Sequence, residues 1–210
     1  MPSKPKKRLK HEDRRAQIVD AALNLFSEKG FSGTRTKEIA RAAGISEALI
    51  FRHFKSKEEL YNEALKETLK GHPMIRDLTA KMEQKDDYGV LFAYADHMVE
   101  HGLKDERMFR LILYSGLEGV RLEAHPGPSH GDGEEGWDPS DEALVRYFKE
   151  RIRDGAIKDL NPLVLVRHFR NSVAMYVADH ILEIDPAPFP VSHGEALAAL
   201  VGIYLNGIRK

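Results

Sequence analysis

The chain has 210 residues, 42% of them hydrophobic, and no cysteine. It is long enough to bury a core, and it must do so without disulfides or thiolate metal sites. No run reaches the roughly 18 apolar residues that a membrane span needs. The basic N-terminus, "MPSKPKKRLKHEDRR", lacks the apolar stretch of a secretory signal, so a cytoplasmic protein with no membrane partner is expected. The net charge of −1 hides an asymmetry. Residues 1–60 carry 14 Lys and Arg against 8 Asp and Glu, and the remainder carries 18 against 25. A basic N-terminal surface facing a polyanion fits this pattern, and a solvated basic tail fits it equally.

The periodic segments read as helices from the start. "RRAQIVDAALNLFSEKG" puts Ile18, Ala22, Leu25 and Phe26 on one face and ends at Gly30. "TKEIARAAG" reads as a second helix with Thr36 as N-cap, an inward face of Ile39, Ala40 and Ala43, and a stop at Gly44. A very short third helix follows, capped by Ser46, with Ile50 and Phe54 inward at i, i+4. A fourth opens at "SKEE", where Ser56 and Glu59 have capping-box spacing. Helices two and three are joined only by "AGIS", the short glycine-containing turn of a helix-turn-helix. Beyond Pro73 the spacing predicts helices near 73–85, 87–103, 105–123, 140–155, 161–184 and 192–209. They are interrupted by "HPGPSHGDGEEGWDPS" and by the proline-rich "IDPAPFPVS". The fold class expected is all-α.

In a helix-turn-helix the second helix enters the major groove of double-stranded DNA with its N-terminal residues at the base edges. With Ile50 and Phe54 inward, Glu47, Ala48, Leu49 and Arg52 face outward. Arg52 can donate two hydrogen bonds to guanine, Leu49 offers only apolar contact, and Glu47 can accept from a cytosine amino group. Thr36 and Lys37 open helix two and Lys57 opens helix four, where free N–H groups suit phosphates. Ser46 and Ser56 read as caps first and phosphate ligands second.

The stretch "IVDAALNLFSEKGFSGTRTKEIARAAGISEALIFRHFKSKEELY" resembles the DNA-binding domain of TetR-family transcriptional regulators over about residues 14–61. The resemblance lies in the "AA-L-LF---GF--T" first helix, the "IA--AGIS" turn and the "F-HFKSKEEL" exit. It implies a helix-turn-helix head joined to a larger C-terminal helical domain for ligand binding and dimerisation, with a basic disordered arm at 1–12, the head at 13–58 and the C-terminal domain at 59–210. By motif match, Thr36, Lys37, Phe51, His53 and Lys57 take backbone-contacting positions and Glu47, Ala48, Leu49 and Arg52 base-reading ones. Phe51 stands where the family commonly carries Tyr, and Leu49 where Thr is common. The implied partners are double-stranded DNA, a second copy of the chain and an unidentified small-molecule effector, with no cofactor.

The C-terminal region is read on its own residues. Phe92, Met98, Phe109, Leu113 and Met175 could line an apolar pocket, and His97, His101, Tyr114, His168 and Tyr176 could orient a ligand in it; at helical spacing all are also ordinary core or surface residues. His97 and His101 have metal-ligand spacing, but no third ligand has a motif relation to them, so no metal is expected. "EALAALVGIYLNGI" is apolar on nearly all sides and must be buried on all sides. One face can pack on its own domain and the other on a partner, so this helix and the one near 161–184 nominate Ala174, Ala178, Ala199, Gly202 and Ile203 for a dimer interface. The expected function is a ligand-released repressor. Its rivals are a constitutive DNA-binding protein and a helical-bundle enzyme, and the latter has no nucleophile elbow, P-loop or dinucleotide fingerprint to offer.

Overall fold

A computed structural model describes residues 11–69, 74–120, 139–184 and 191–210. Residues 1–10 of the basic arm, residues 121–138 of the Gly- and Pro-rich loop and residues 185–190 of the proline-rich break lie outside the described residues. Ten helices are found among those described: α1 (His11–Gly33), α2 (Thr36–Ala42), α3 (Glu47–His53), α4 (Lys57–Leu69), α5 (Met74–Glu83), α6 (Asp87–Lys104), α7 (Arg107–Glu118), α8 (Pro139–Arg153), α9 (Pro162–Leu182) and α10 (His193–Ile208). The only β-type pairing among the described residues is an isolated bridge between Ile157 and Arg209, so the fold is all-α.

The helices pack into two units. The first comprises α1–α4 and α7. Its core takes Ile18, Ala22 and Phe26 from α1, Ile39 from α2, Ile50 from α3, Phe54 just beyond it, Tyr61 and Leu65 from α4, and Leu111 from α7. Phe26 meets Tyr61 edge-to-face at 4.8 Å between ring centroids, the arrangement that aromatic quadrupoles favour. The Tyr61 hydroxyl donates to the Leu111 carbonyl at 2.8 Å, and burial pushes this phenol's pKa up. The segment 59–210, read from the sequence as one domain, thus contributes α4 and α7 to the first unit. Those helices complete a core that α1–α3 are too small to enclose.

Two local readings change. Regular α1 ends at Gly30, whose φ of +71° is the left-handed conformation that glycine adopts without a Cβ clash; the helix then kinks and runs on to Gly33. The N-cap position of α2 is held by Arg35, not Thr36, which is already helical. Glu38, three residues on, reaches back to accept from the Arg35 N–H at 3.0 Å.

The second unit comprises α5, α6 and α8–α10. Val90, Leu91, Tyr94 and Ala95 of α6 are buried, as are Leu144 and Phe148 of α8, Val166, Phe169 and Val173 of α9, and Leu197, Val201 and Leu205 of α10. The long helices are capped as their sequences require. Asn161 accepts from the Leu163 N–H at 2.9 Å ahead of Pro162, and Ser192 and Glu195 form a reciprocal capping box. Two buried carboxylates tie helices together. Asp87 of α6 accepts from the Tyr147 hydroxyl at 2.6 Å and from Arg151 Nε at 2.7 Å, both on α8. Asp141 of α8 accepts from the Tyr94 hydroxyl of α6 at 2.8 Å and from Arg170 of α9.

Burial alone would push the Asp87 carboxyl up, but hydrogen bonds from Arg151 and Tyr147 outweigh it and hold its pKa below the ordinary value. A depressed folded-state pKa contributes stability above the unfolded value of about 3.9 and loses it as pH falls through the folded value. Asp87→Ala removes the carboxylate shared by the Tyr147 hydroxyl and Arg151, leaving Arg151 only its pair with Asp154, and should cost about 3–5 kcal/mol near neutrality. The gap between wild type and variant in urea unfolding should close as the pH is taken below about 4.

Candidate nucleic-acid interface

The turn between α2 and α3 is built from its backbone outward. Gly44 takes φ +63° with open space where a Cβ would sit, so its role is conformational. The Ile45 N–H donates to the Ala40 carbonyl at 2.9 Å, and the Ile45 side chain, half-buried, packs against the core of the first unit. In α3, Ile50 and Phe54 are each about 1% exposed. With these two inward, Ala48, Phe51 and Arg52 are exposed and Glu47 and Leu49 are half-buried.

Several side chains are engaged in ways that sequence alone did not reveal. The Thr36 hydroxyl donates to a Glu47 carboxylate oxygen in a very short hydrogen bond that ties the start of α2 to the start of α3. The two residues read separately as a phosphate ligand and a base reader are therefore a bonded pair. Ser46 holds the N-cap position of α3 in extended backbone (φ −81°, ψ 148°), but its hydroxyl makes no capping bond. The Ser56 hydroxyl does cap α4, accepting from the Glu59 N–H at 3.2 Å. Lys57 lies with its ammonium 4.1 Å from the centroid of the Phe31 ring, and Lys37 is exposed at the start of α2.

α1 holds the ends of both reading elements. Gln17 donates to the Ala43 carbonyl at 3.0 Å, and Arg15 donates to the His53 carbonyl at 3.0 Å. The Arg15 guanidinium also covers the Phe54 ring at 4.2 Å and pairs with Glu63 at 3.3 Å. Sequence reading missed Arg15 and Gln17, because long polar side chains on a solvent-facing helix edge carry no signal naming a partner some thirty or forty residues away. His53 Nδ1 is the one buried side-chain polar atom without a partner among the described residues. Its ring packs on His11 at 4.5 Å. Burial lowers the His53 pKa, and the nearby His11, Arg15, Arg52 and Arg14 lower it further.

The C-terminal candidates fall in both units. Phe92, His97, Met98 and His101 are half-buried on α6, with the two imidazoles 4.2 Å apart. Phe109, Leu113 and Tyr114 lie on α7 in the first unit, and the Tyr114 hydroxyl donates to the Glu28 carbonyl at 3.1 Å. On α9, His168 and Met175 are exposed, and the Tyr176 hydroxyl sits 2.6 Å from His193 Nδ1. Among the described residues no group of three or more His, Asp or Glu is arranged to hold a metal. No described helix is long and apolar enough to cross a membrane.

Of the nominated interface residues, Ala178 is buried within its own unit, Ala174 and Gly202 are half-buried, and Ala199 and Ile203 are exposed. α10 therefore has one face buried within its own unit and one open face. Ile203, 75% exposed, marks the open side, and Val164, Met175 and Leu182 are the corresponding exposed apolar side chains of α9.

Residues 18–64 match the family model described as "Bacterial regulatory proteins, tetR family". AcrR of Shigella flexneri, an HTH-type transcriptional regulator, is 34% identical over 105 residues, 49% of this chain and 47% of AcrR. IcaR of Staphylococcus aureus, a negative transcriptional regulator of a biofilm operon, is 42% identical over 50 residues, 24% of this chain and 27% of IcaR. The chain thus spans about half the length of AcrR and about a quarter of IcaR. The crystal structure of a TetR-family transcription regulator from Marinobacter aquaeolei VT8 superposes with a TM-score of 0.67, covering 95% of this chain and 97% of that one at 15% identity, a likeness of fold. The helix-turn-helix head thus matches the tetR family of bacterial regulatory proteins over residues 18–64, and the chain shares the fold of a solved TetR-family regulator.

Proposed function

We propose that the chain is a homodimeric repressor that binds a two-fold operator through its first unit and is released by a small, mostly apolar ligand held in its second. The observation that carries the DNA reading is the orientation of α3. Burial of Ile50 and Phe54 leaves Ala48, Phe51 and Arg52 exposed together. In this reading Arg52 donates to a guanine and Leu49 and Phe51 make apolar contact with thymine methyl groups. Lys37, Lys57 and His53 contact phosphates, with Lys57 exchanging the Phe31 ring for an anion. Thr36 acts chiefly by holding Glu47, whose carboxylate is thereby kept from opposing the phosphates. The family, and the description of IcaR as a negative regulator, support repression.

Dimerisation is supported by the exposed apolar side chains Val164, Met175 and Leu182 on α9 and Ile203 on α10. Two copies opposed across these faces would bury these apolar side chains. The ligand reading rests on the half-buried Phe92, Met98, His97 and His101 of α6, apolar side chains beside two imidazoles able to orient a guest. Such a ligand acts only through unequal affinity for the DNA-competent and incompetent states. A 100-fold preference corresponds to about 2.7 kcal/mol.

Selection of bound sequences from random duplex DNA tests the function directly. A two-fold site should emerge, and recovery of no preferred sequence would remove the specific-regulator reading. On the recovered site, Arg52→Ala should cost about 1–3 kcal/mol and relax preference at one base pair per half-site. Lys57→Ala should weaken all sequences alike and flatten the salt dependence by about one unit of slope.

Sedimentation should find a dimer at micromolar concentration for the wild type, and monomer or insoluble protein for Met175→Glu or Ile203→Glu. A monomeric wild type would end the dimer reading.

Thermal shift across a panel of apolar and aromatic compounds should find a stabiliser that also releases the operator. A panel that neither stabilises nor releases would leave a constitutive DNA-binding protein.

A further inference from the structure

Regular α1 ends at Gly30, and the two N–H groups that follow are taken by a carboxylate far along the chain. Glu118, the last residue of α7, accepts from the Phe31 N–H at 2.8 Å and from the Ser32 N–H at 3.2 Å. The approach is close enough that a Cβ on Gly30 would lie 2.6 Å from the Glu118 carboxylate and 2.9 Å from the Tyr114 ring. Tyr114 adds its hydroxyl bond to the Glu28 carbonyl one turn back. At the other end of α7, Arg107 donates to Asn24 at 2.9 Å. A charge-assisted bond to two backbone donors is a strong and directional anchor.

What the anchor holds is the start of two phosphate-facing features. The ring of Phe31, whose N–H Glu118 captures, carries the Lys57 ammonium on its face and meets Tyr61 at 5.4 Å. Downstream of Ser32, the buried Thr34 hydroxyl donates to the Gly30 carbonyl at 2.8 Å. Arg35 then leads into Thr36, which holds Glu47. Residues 31–35 are a short link with no helix of their own beyond Gly33, so their path is set by these side-chain bonds.

We infer that Glu118 is a positioning residue for DNA binding: by capturing the Phe31 and Ser32 N–H groups it sets where Lys57 and the Thr36–Lys37 start of α2 meet the phosphate backbone. The inference rests on the proposed DNA-binding function. Glu118 itself touches no DNA in this account, and a negative charge there would be unfavourable if it did. Loss of Glu118 should therefore weaken binding although it removes an anionic group.

The test uses the full chain and its selected operator. Glu118→Ala should weaken binding about tenfold, the scale of one lost charge-assisted contact. It should also flatten the salt dependence by about one unit of slope and speed amide exchange at Phe31 and Ser32. Glu118→Gln, which keeps one acceptor, should recover most of the affinity and the slope. Adding Lys57→Ala to Glu118→Ala should then cost less than Lys57→Ala costs alone, because the two act on one contact. Affinity lost with an unchanged salt slope would overturn the inference, since that is what general destabilisation produces. Full affinity in a folded Glu118→Ala would overturn it as well. Should Glu118→Ala fail to fold, Glu118→Gln with wild-type exchange at Phe31 and Ser32 but a flattened slope would equally contradict the assignment. A wild type that binds no selected DNA overturns the function and this role together, and is recognised without any variant.

Discussion

A seven-residue helix cannot hold itself in water, and everything proposed for α3 follows from that constraint. Isolated helices shorter than about 12–15 residues are marginal because nucleation costs more than a few hydrogen bonds return. The helicity and the orientation of α3 are therefore imposed by what it buries. Ile50 and Phe54 sink into the core of the first unit, each contributing about 1.5–3 kcal/mol. Gln17 and Arg15 of α1 grip the carbonyls of Ala43 and His53. Once those groups are fixed, the remaining side chains have no freedom of face. Ala48, Phe51 and Arg52 must point outward.

The charges around α3 are arranged so that cations are available and the anion is occupied. Glu47 would oppose a phosphate backbone, yet its carboxylate is bonded by Thr36, and Glu38 is bonded by Lys29 at 2.8 Å and by the Arg35 N–H. Lys57 rests on an aromatic face, an interaction worth only about 0.5–1 kcal/mol at an exposed site. It is weak enough to be exchanged for a phosphate and directional enough to keep the side chain in place. Burial, and then the neighbouring cations, disfavour the charged form of His53. A phosphate brought beside it would act in the opposite sense and favour the proton.

The second unit solves a different problem. Its helices are long, well capped and mutually buried, and its two buried carboxylates are each met by an arginine and a tyrosine hydroxyl. Such pairs add little net stability over a well-packed apolar core, but removing one partner is costly. Asp87 and Asp141 thereby define which faces of α6, α8 and α9 can pack together. The apolar side chains left exposed on α9 and α10 are not needed for that core.

Much of this was legible in the sequence because it depends on local chemistry. The helix periods, the glycine stops at Gly30 and Gly44, the cap at Ser56 and the inward pair Ile50 and Phe54 all act within a turn or two of themselves, and the head motif carried the family resemblance with it. Local rules erred where two options were one residue apart, as at the N-cap of α2, where Arg35 rather than Thr36 holds the position. They carry no sign of the unit to which a helix belongs, because membership depends on which surfaces meet. Tertiary structure alone decided that α7 completes the first unit. It alone paired Thr36 with Glu47, laid Lys57 on Phe31 and brought Glu118 to the N–H groups after Gly30, across 87 residues of sequence. Contacts of that separation leave no periodicity and no spacing in the chain. They exist only because burial of the apolar faces brings distant polar groups within hydrogen-bonding reach.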